Sequence, residues 1–199
     1  MKRETRSPAT CLILASASPR RAEILRNAGI AFEVHPAHID ESRRPGEAPS
    51  DYVRRLALEK ARAVADANRA QGREAVILGA DTIVVAGGEI FGKPASVEDA
   101  RRMLHRLQGT THEVRTGIAL IRSKDGAESV AEEATRVTFA SMSASEIDEY
   151  VATAEPMDKA GAYAIQGLAG RYITRIEGDY FNVVGLPLAK VWELLRSIE

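Results

Sequence analysis

Length, composition and charge place the chain among globular proteins. It has 199 residues, of which 45% are hydrophobic and 28% charged, which is enough for a core and argues against disorder. The formal net charge of −1 disfavours a protein that mainly coats nucleic acid or an anionic membrane. The single cysteine, Cys11, precludes an intramolecular disulfide and is typical of a reducing compartment.

The predicted elements are strands and helices in mixed order, with hairpins among them. Ser18, Ser50 and Ser96 are expected as helix N-caps, Ser145 opens a helix, and Gly87-Gly88 is expected as a hairpin turn. The pattern predicts an α/β domain with a mixed central sheet flanked by helices. Strands are predicted over 12–15, 31–35, 76–85, 89–91, 111–122, 131–140 and 172–176, and helices over 19–28, 50–70, 97–108, 145–152 and 187–197.

The amino-terminal residues imitate a secretion signal without meeting its requirements. Lys2 and Arg3 precede the apolar segment 11–15, but that segment is shorter than the roughly 7–15 residues that a signal peptide needs. No window approaches the ~20 apolar residues of a membrane span. We therefore predict a flexible segment over residues 1–10 and a single cytoplasmic domain over residues 11–199, with neither a membrane nor a nucleic acid as partner.

The turn that joins the first strand to the first helix carries two arginines. Pro19 suits the first helical position, so Arg20 and Arg21 lie at the positive end of the helix dipole, where cations cost ~0.3–1 kcal/mol each. An anion bound between the free N–H groups and both guanidinium groups would reverse that sign. The turn fits a phosphate site and, equally, a capped helix with two solvated arginines.

Two more charged residues stand in apolar surroundings. Asp81 interrupts the apolar strand 76–85, and Lys60 lies in an apolar stripe of the long helix, seven residues after Val53. A buried carboxylate needs a cation, a metal or several donors, so Asp81 indicates a functional site; the alternative is a carboxylate satisfied by backbone groups. Lys60 either points into such a site or extends along its stem to solvent.

Two glycine-containing segments approach nucleotide-binding motifs without matching them. Residues 87–94 resemble a Walker A motif, but Pro94 replaces the hydroxyl residue that binds magnesium, so we reject a P-loop and retain Lys93 as a phosphate contact. In segment 161–170, Gln166 offers a donor and an acceptor for a base edge, with an ordinary loop as the equal alternative. These cations and carboxylates suit the hydrolysis of a phosphoanhydride.

In combination, these segments resemble the Maf family of nucleoside triphosphate pyrophosphatases. The resemblance implies a two-lobed fold with a cleft, similar to that of inosine triphosphate pyrophosphatases, a homodimer and a divalent metal cation such as Mg²⁺ or Mn²⁺. It implies hydrolysis of nucleoside triphosphates, above all dTTP and UTP, to the monophosphate and pyrophosphate, which would clear non-standard nucleotides. The segments that carry it are 14–21, 59–61, 79–84, 92–94, 158–167 and 183–188.

The resemblance also implies residue roles. Asp81 would be the general base and, with Glu41, would bind the metal. Arg20, Thr82 and Gln166 match positions linked to base choice, and residues 165–167 look like those of the branch that acts on dTTP and UTP. The alternatives are a nucleotide-binding regulator of septum formation and a pyrophosphatase for 7-methyl-GTP or for ITP and XTP. The substrate-binding residues implied are Ser16, Arg20, Arg21, Lys60, Thr82, Lys93 and Gln166.

Overall fold

The computed structural model of the protein describes residues 11–198, so the prediction for residues 1–10 lies outside the described part. The strands are β1 (Cys11–Leu14), β2 (Glu33–Val34), β3 (Ala75–Ala86), β4 (Glu89–Phe91), β5 (Thr111–Arg122), β6 (Glu128–Phe139) and β7 (Ile173–Glu177). The α-helices are α1 (Pro19–Asn27), α2 (Pro49–Ala70), α3 (Val97–Leu107), α4 (Ala144–Ala152), α5 (Tyr180–Val184) and α6 (Leu188–Ile198).

The strands form one mixed sheet in the order β2-β1-β3-β5-β6-β7, with β4 paired to β3. β1 runs parallel to β2 and β3, and the other neighbours are antiparallel. The predicted mixed sheet flanked by helices is therefore confirmed. Along β3, residues 75–78 pair with β1 and residues 84–86 with β4, so residues 79–83 lie in the gap between these two partners.

Helix α2 lies directly on the sheet because two strand residues lack a side chain. A Cβ atom on Gly79 would lie 2.1 Å from the carbonyl oxygen of Ala57, and one on Gly117 would lie 2.2 Å from that of Val53. Both distances are far inside van der Waals contact, so the backbone of α2 occupies the space that a side chain would need. This close approach brings Lys60 of α2 within reach of β3.

Helices α1, α5 and α6 pack on the face of the sheet opposite to α2. A separate hydrophobic core includes Phe91 of β4. The separate core packs the fully buried Tyr150 and Phe91 against Leu104 and Leu107 of α3. Three 3₁₀ turns, Glu155–Asp158, Ala160–Ala162 and Leu168–Tyr172, then lead the chain from α4 to β7. We call the part of the protein around the core with Tyr150 and Phe91 the second lobe, and the part in which α1, α2 and α6 pack on the two faces of the sheet the first lobe. These correspond to the two lobes that the resemblance implied.

The helix caps differ in part from the predictions. Ser96 caps α3 as predicted, since its hydroxyl accepts a hydrogen bond from the Asp99 N–H at 3.1 Å. The prediction of Ser50 as the N-cap of α2 is wrong: the cap is Ala48, because Pro49 with its fixed φ takes the first helical position. Ser18 occupies the N-cap position of α1 but makes no side-chain cap bond, and α4 begins earlier than predicted, after Ser143 and its capping box with Glu146.

Two further differences lie in short elements. Sequence periodicity missed α5, a five-residue helix that Asp179 caps by accepting a hydrogen bond from the Phe181 N–H at 2.8 Å. Strand β2 is shorter than predicted because only Glu33 and Val34 pair with β1 at the edge of the sheet. Within residues 11–198, none of the helices combines the length and the hydropathy that crossing a membrane requires.

Candidate active site

A cavity of about 550 Å³ opens at the gap in β3 between β1 and β4. It lies beyond the carboxyl end of the parallel strand β1, the position where open α/β sheets bind ligands. The structure therefore brings together residues that are far apart in sequence, from Ala15 to Gly185. All the predicted site residues line this cavity: Ser16, Arg20, Arg21, Glu41, Lys60, Asp81, Thr82, Lys93 and Gln166.

The centre of the cavity is a cluster of one amine and two carboxylates. Lys60 Nζ donates to Asp81 Oδ1 at 2.7 Å and lies 2.8 Å from Glu41 Oε1. Lys60 and Asp81 are 8% and 7% exposed, whereas the Glu41 side chain is 57% exposed. Lys60 thus points into the cavity, and the alternative interpretation, that its stem extends to solvent, is wrong.

Burial and two nearby cations act in opposite directions on the pKa of Asp81. Desolvation raises the pKa of its carboxyl group above the ordinary value, and the charges of Lys60 and Arg21 oppose that rise without cancelling it. Within residues 11–198 Oδ1 of this carboxylate accepts a hydrogen bond from Lys60, and no hydrogen bond to Oδ2 is found. Asp81 is thus a desolvated carboxylate that lines a cavity and has one oxygen without a hydrogen-bond donor in this part of the chain, an arrangement compatible with a general base.

Arg21 completes the wall of the cavity beside residues 79–83 of β3, on the side where neither β1 nor β4 pairs with that strand. Its guanidinium group donates to the carbonyl oxygens of Ala80 at 2.9 Å and Gly185 at 2.8 Å. It also donates to the hydroxyl oxygens of Ser16 and Thr82, both at 3.0 Å. These hydrogen bonds join α1 to β3 and to the loop after α5. Arg21 is only 8% exposed, so the interpretation that both arginines are solvated is wrong.

Arg20, the neighbour of Arg21, turns the other way and reaches the second lobe. Its Nη1 lies 2.9 Å from Asp158 Oδ2, and its Nη2 donates to the Asp158 carbonyl oxygen at 3.3 Å. The amine of Lys159 also contacts the Asp158 carboxylate. Burial alone would raise the pKa of Asp158, but the hydrogen bonds from Lys159 and Arg20 lower it to about 2. The ion pair therefore joins α1 to the 3₁₀ turn Glu155–Asp158, and both of its residues line the cavity.

Asp158 and Lys159 are site residues that residue-by-residue reasoning missed. Both belong to the segment 158–167 that carried the family resemblance, and that segment was the available signal. They line the cavity together with Tyr52, whose hydroxyl donates to the Glu41 carbonyl oxygen at 2.7 Å. Burial raises the pKa of Tyr52, so its hydroxyl stays protonated and holds the loop that carries Glu41.

Lys93 and Gln166 occupy the outer part of the cavity. Both are exposed, and neither makes a hydrogen bond or ion pair with another residue of segment 11–198. An exposed lysine and an exposed amide without partners inside a cavity can contact an incoming ligand without first breaking a bond. They are therefore available for a phosphate group and a base edge, respectively.

The carboxylates of Asp81 and Glu41 could hold a hard divalent cation if a substrate supplied further ligands. Within the described part of the chain, His, Cys, Asp and Glu form no group of three or more suited to a metal ion. Asp81 and Glu41 nevertheless converge on one point, now held by the Lys60 amine. Mg²⁺ commonly takes one or two carboxylates and completes its shell with water and substrate phosphates, so two carboxylates suffice.

The sequence matches a known family along almost its whole length. A family model described as Maf-like protein matches residues 11–198. The curated dTTP/UTP pyrophosphatase of Koribacter versatilis (strain Ellin345) is 54% identical over 185 residues, which cover 93% of this chain and 93% of that protein. The dTTP/UTP pyrophosphatase of Hahella chejuensis (strain KCTC 2396) is 52% identical over 94% of this chain and 91% of that protein.

A solved structure also has a detectable likeness to the chain. It is described as the crystal structure of a nucleoside-triphosphatase / dITP/XTP pyrophosphatase from Mycobacterium abscessus ATCC 19977 / DSM 44196. The two chains are 18% identical with a TM-score of 0.37, and the match covers 67% of this chain and 76% of the other.

Proposed function

The chain belongs to the Maf-like protein family, and we propose on that basis that it hydrolyses dTTP and UTP to the monophosphate and pyrophosphate, so clearing non-standard nucleotides. The observation that carries the proposal is the buried Lys60–Asp81 pair, which lies in a cavity whose mouth is lined by further cations. Relatives at 52–54% identity that are named for this activity support the choice of substrates.

The triphosphate would lie along the cations of the cavity. Arg20 and Lys93 approach the mouth from opposite lobes, and the amino terminus of α1 adds its positive dipole. A phosphate group can replace the Asp158 carboxylate as the partner of Arg20, because both present oxygen acceptors to a guanidinium group. Arg21 would then shape the wall behind the phosphates, since its donors are largely used within the protein. Within residues 11–198 the Ser16 hydroxyl only accepts hydrogen bonds, so its O–H could donate to a phosphate oxygen.

In the proposed reaction, water attacks the α-phosphorus while Asp81 accepts a proton from that water at Oδ2. The bond from the α-phosphorus to the bridging oxygen breaks, and pyrophosphate leaves. Lys60, by donating to Oδ1, favours the ionised form of Asp81 against the effect of burial. A divalent cation held by Asp81 and Glu41 would neutralise charge on the phosphate oxygens.

Base choice would depend on Gln166 at the outer end of the cavity. Thymine and uracil share the O4 acceptor and the N3–H donor, and one amide can pair with both groups. Gln166 lines the cavity, and its side chain is free within the described chain. Thr82 would act less directly, because its hydroxyl contacts Arg21 and Thr116.

The test is product analysis in H₂¹⁸O with dTTP, UTP, CTP, GTP and ITP. We expect pyrophosphate release from dTTP and UTP, with the label in the monophosphate, which places the attack at the α-phosphorus. Formation of diphosphate and orthophosphate, or label in pyrophosphate, would overturn the mechanism. The Asp81→Asn variant, purified in the same way, controls for contaminating phosphatases.

We also propose that the enzyme acts as a homodimer in the cytoplasm, as the family resemblance implies. Light scattering on the eluting peak of a gel-filtration column measures the first point directly. A mass of two chains is expected, and a mass of one chain at working concentration would contradict it.

A further inference from the structure

The loop around Gln166 is anchored on both sides by hydrogen bonds to the second lobe. The Ala164 N–H donates to the hydroxyl oxygen of Tyr150 at 3.2 Å. The Leu168 N–H donates to both carboxylate oxygens of Glu155, at 3.0 and 3.2 Å. Gln166 stands midway between these anchors, two residues from each, so both of them restrict where its backbone can lie.

The two anchors belong to one hydrogen-bonded relay. The Tyr150 hydroxyl donates to Glu155 Oε1 at 2.8 Å while it accepts from Ala164. The ring of Tyr150 is fully buried among core residues, which gives the relay a rigid support. Glu155 therefore links the buried Tyr150 to the Leu168 end of the Gln166 loop by hydrogen bonds.

The loop also fits closely over the Glu155 carboxylate. A Cβ atom at Gly167 would lie 2.4 Å from both carboxylate oxygens, so a side chain at this position would displace the Glu155 carboxylate from its present place. The φ of Gly167 is −110°, which other residues can adopt, so the closeness of the carboxylate and not the backbone geometry favours glycine here. Glycine next to Gln166 increases the conformational freedom of the loop backbone, and the hydrogen bonds of Tyr150 and Glu155 to the loop restrict that freedom.

Neither residue of the relay lines the cavity, so neither touches a bound nucleotide directly. We propose that Glu155, together with Tyr150, is a positioning residue that sets base selectivity by holding the backbone of residues 164–168 and so presenting Gln166 to the base. This inference rests on the proposed function, since it assigns how the same cavity chooses its substrate. A base-binding group that is held in place before binding loses less entropy when the nucleotide binds.

The first arm of the test compares Glu155→Gln and Tyr150→Phe with the wild type on dTTP, UTP, CTP and GTP. Each variant weakens the relay while it keeps side-chain volume. We expect kcat/KM for dTTP and UTP to fall about three- to tenfold, mainly through KM, while the values for GTP change little. An equal loss for all four nucleotides, or no loss for any, would overturn the proposal.

Glu146→Gln is the matched control. Its carboxylate also accepts from a backbone N–H, that of Ser143 at 2.8 Å, and from a tyrosine hydroxyl, that of Tyr172 at 3.4 Å. It lies in the same lobe and outside the cavity lining. If Glu146→Gln shifts base preference as much as Glu155→Gln does, the effect reflects general loosening of the lobe and the proposal fails.

The second arm asks whether Glu155 acts through Gln166. In a Gln166→Ala background, Glu155→Gln should leave the ratio of dTTP to GTP hydrolysis unchanged, because the group that it positions is gone. Independent, additive effects on that ratio would refute the relay. Melting temperatures of the single and double variants confirm that each one is folded.

The third arm uses no substrate. Hydrogen exchange of the nucleotide-free protein should be faster at the Leu168 amide in Glu155→Gln and at the Ala164 amide in Tyr150→Phe, with no change in Glu146→Gln. Unchanged exchange in the relay variants would overturn the proposal whatever the activity. Absence of pyrophosphate release by the wild type would instead refute the proposed function, so the two failures are distinguishable.

Discussion

Replacing Asp81 by asparagine separates its proposed chemical role from a structural one. The substitution keeps the volume of the side chain but removes the proton acceptor and one negative ligand for a cation. We expect kcat for dTTP to fall by roughly 10²–10⁴-fold from loss of the general base alone, with any loss of metal adding to this. If the protein bound nucleotides through its cations without hydrolysing them, Asp81→Asn would leave its nucleotide binding intact.

The structure predicts that the same substitution leaves stability nearly unchanged. Lys60 keeps Glu41 at 2.8 Å, so no buried charge loses its last partner, and the free energy of unfolding at pH 7 should stay within about 1 kcal/mol of the wild type. Lys60→Met is the contrasting variant, since it leaves the buried Asp81 without its amine. Glu41 also loses the amine, but its side chain is 57% exposed and is still hydrated by water. The substitution should therefore lower the free energy of unfolding by about 3 kcal/mol, the lower end of the usual range.

The pH dependence of Asp81→Asn follows from the raised pKa of the wild-type group. Between the ordinary value of 3.8 and the raised folded pKa, the folded wild type holds more protons at Asp81 than the unfolded chain does. This group therefore makes a contribution to stability that declines as pH rises through that window. The unfolding free energy of the variant relative to the wild type should increase with pH from about 4 upwards and then level off.

Two measurements check the reasoning: pyrophosphate release and denaturant unfolding at several pH values. Near-normal kcat in Asp81→Asn would place the base elsewhere, with Glu41 as the next candidate. A loss of more than about 3 kcal/mol at pH 7 would show that the carboxylate is mainly structural. A relative stability that falls as pH rises would contradict the assigned direction of the pKa shift.

Four further outcomes are expected. Gln166→Ala should lower kcat/KM for dTTP and UTP by ~1–3 kcal/mol and leave GTP nearly unchanged, since it removes a polar partner of the base; steady-state kinetics with all three nucleotides measure this. Removal of divalent metal with EDTA should abolish turnover and added Mg²⁺ or Mn²⁺ should restore it, whereas activity that persists in EDTA would refute a metal role. Gly117→Ala should destabilise the fold by about 1–3 kcal/mol or more, because its methyl group would meet the α2 backbone, and denaturant unfolding would detect this. Burial lowers the pKa of His112 to about 4, so stability should decline by about 3 kcal/mol as pH falls from 6.5 to 4, because the unfolded chain binds the proton more readily. His112→Gln should remove that slope, and His105→Gln, which changes an exposed histidine, should keep it.

Local sequence patterns determined most of the secondary structure. Periods of 2 and 3.6 residues depend only on which face of a strand or helix is buried, so the long strands β3 and β5 and the helices α2 and α3 lie near their predicted bounds. The same patterns identified candidate functional residues, because Asp81 and Lys60 each interrupt an apolar face. A charged residue in such a position needs a partner, even before that partner is known.

Short elements escaped prediction because they carry no period. Helix α5 has only five residues, and the three 3₁₀ turns between residues 155 and 172 depend on special backbone conformations. Ala154 and Ala162 adopt positive φ values of 60° and 59°, which alanine rarely does and which no sequence rule anticipates. Such conformations persist only where the surrounding tertiary structure holds them.

Only the tertiary structure decided which charged groups meet. Arg20 and Arg21 are neighbours in sequence, yet successive helical residues differ in direction by about 100°, so Arg20 reaches Asp158 and Arg21 reaches Gly185. These partners lie 138 and 164 residues away along the chain, and Lys60 and Asp81 lie 21 apart. A sequence shows which side chains need partners, but pairing them requires the three-dimensional positions of the strands and helices, which packing of the whole domain sets.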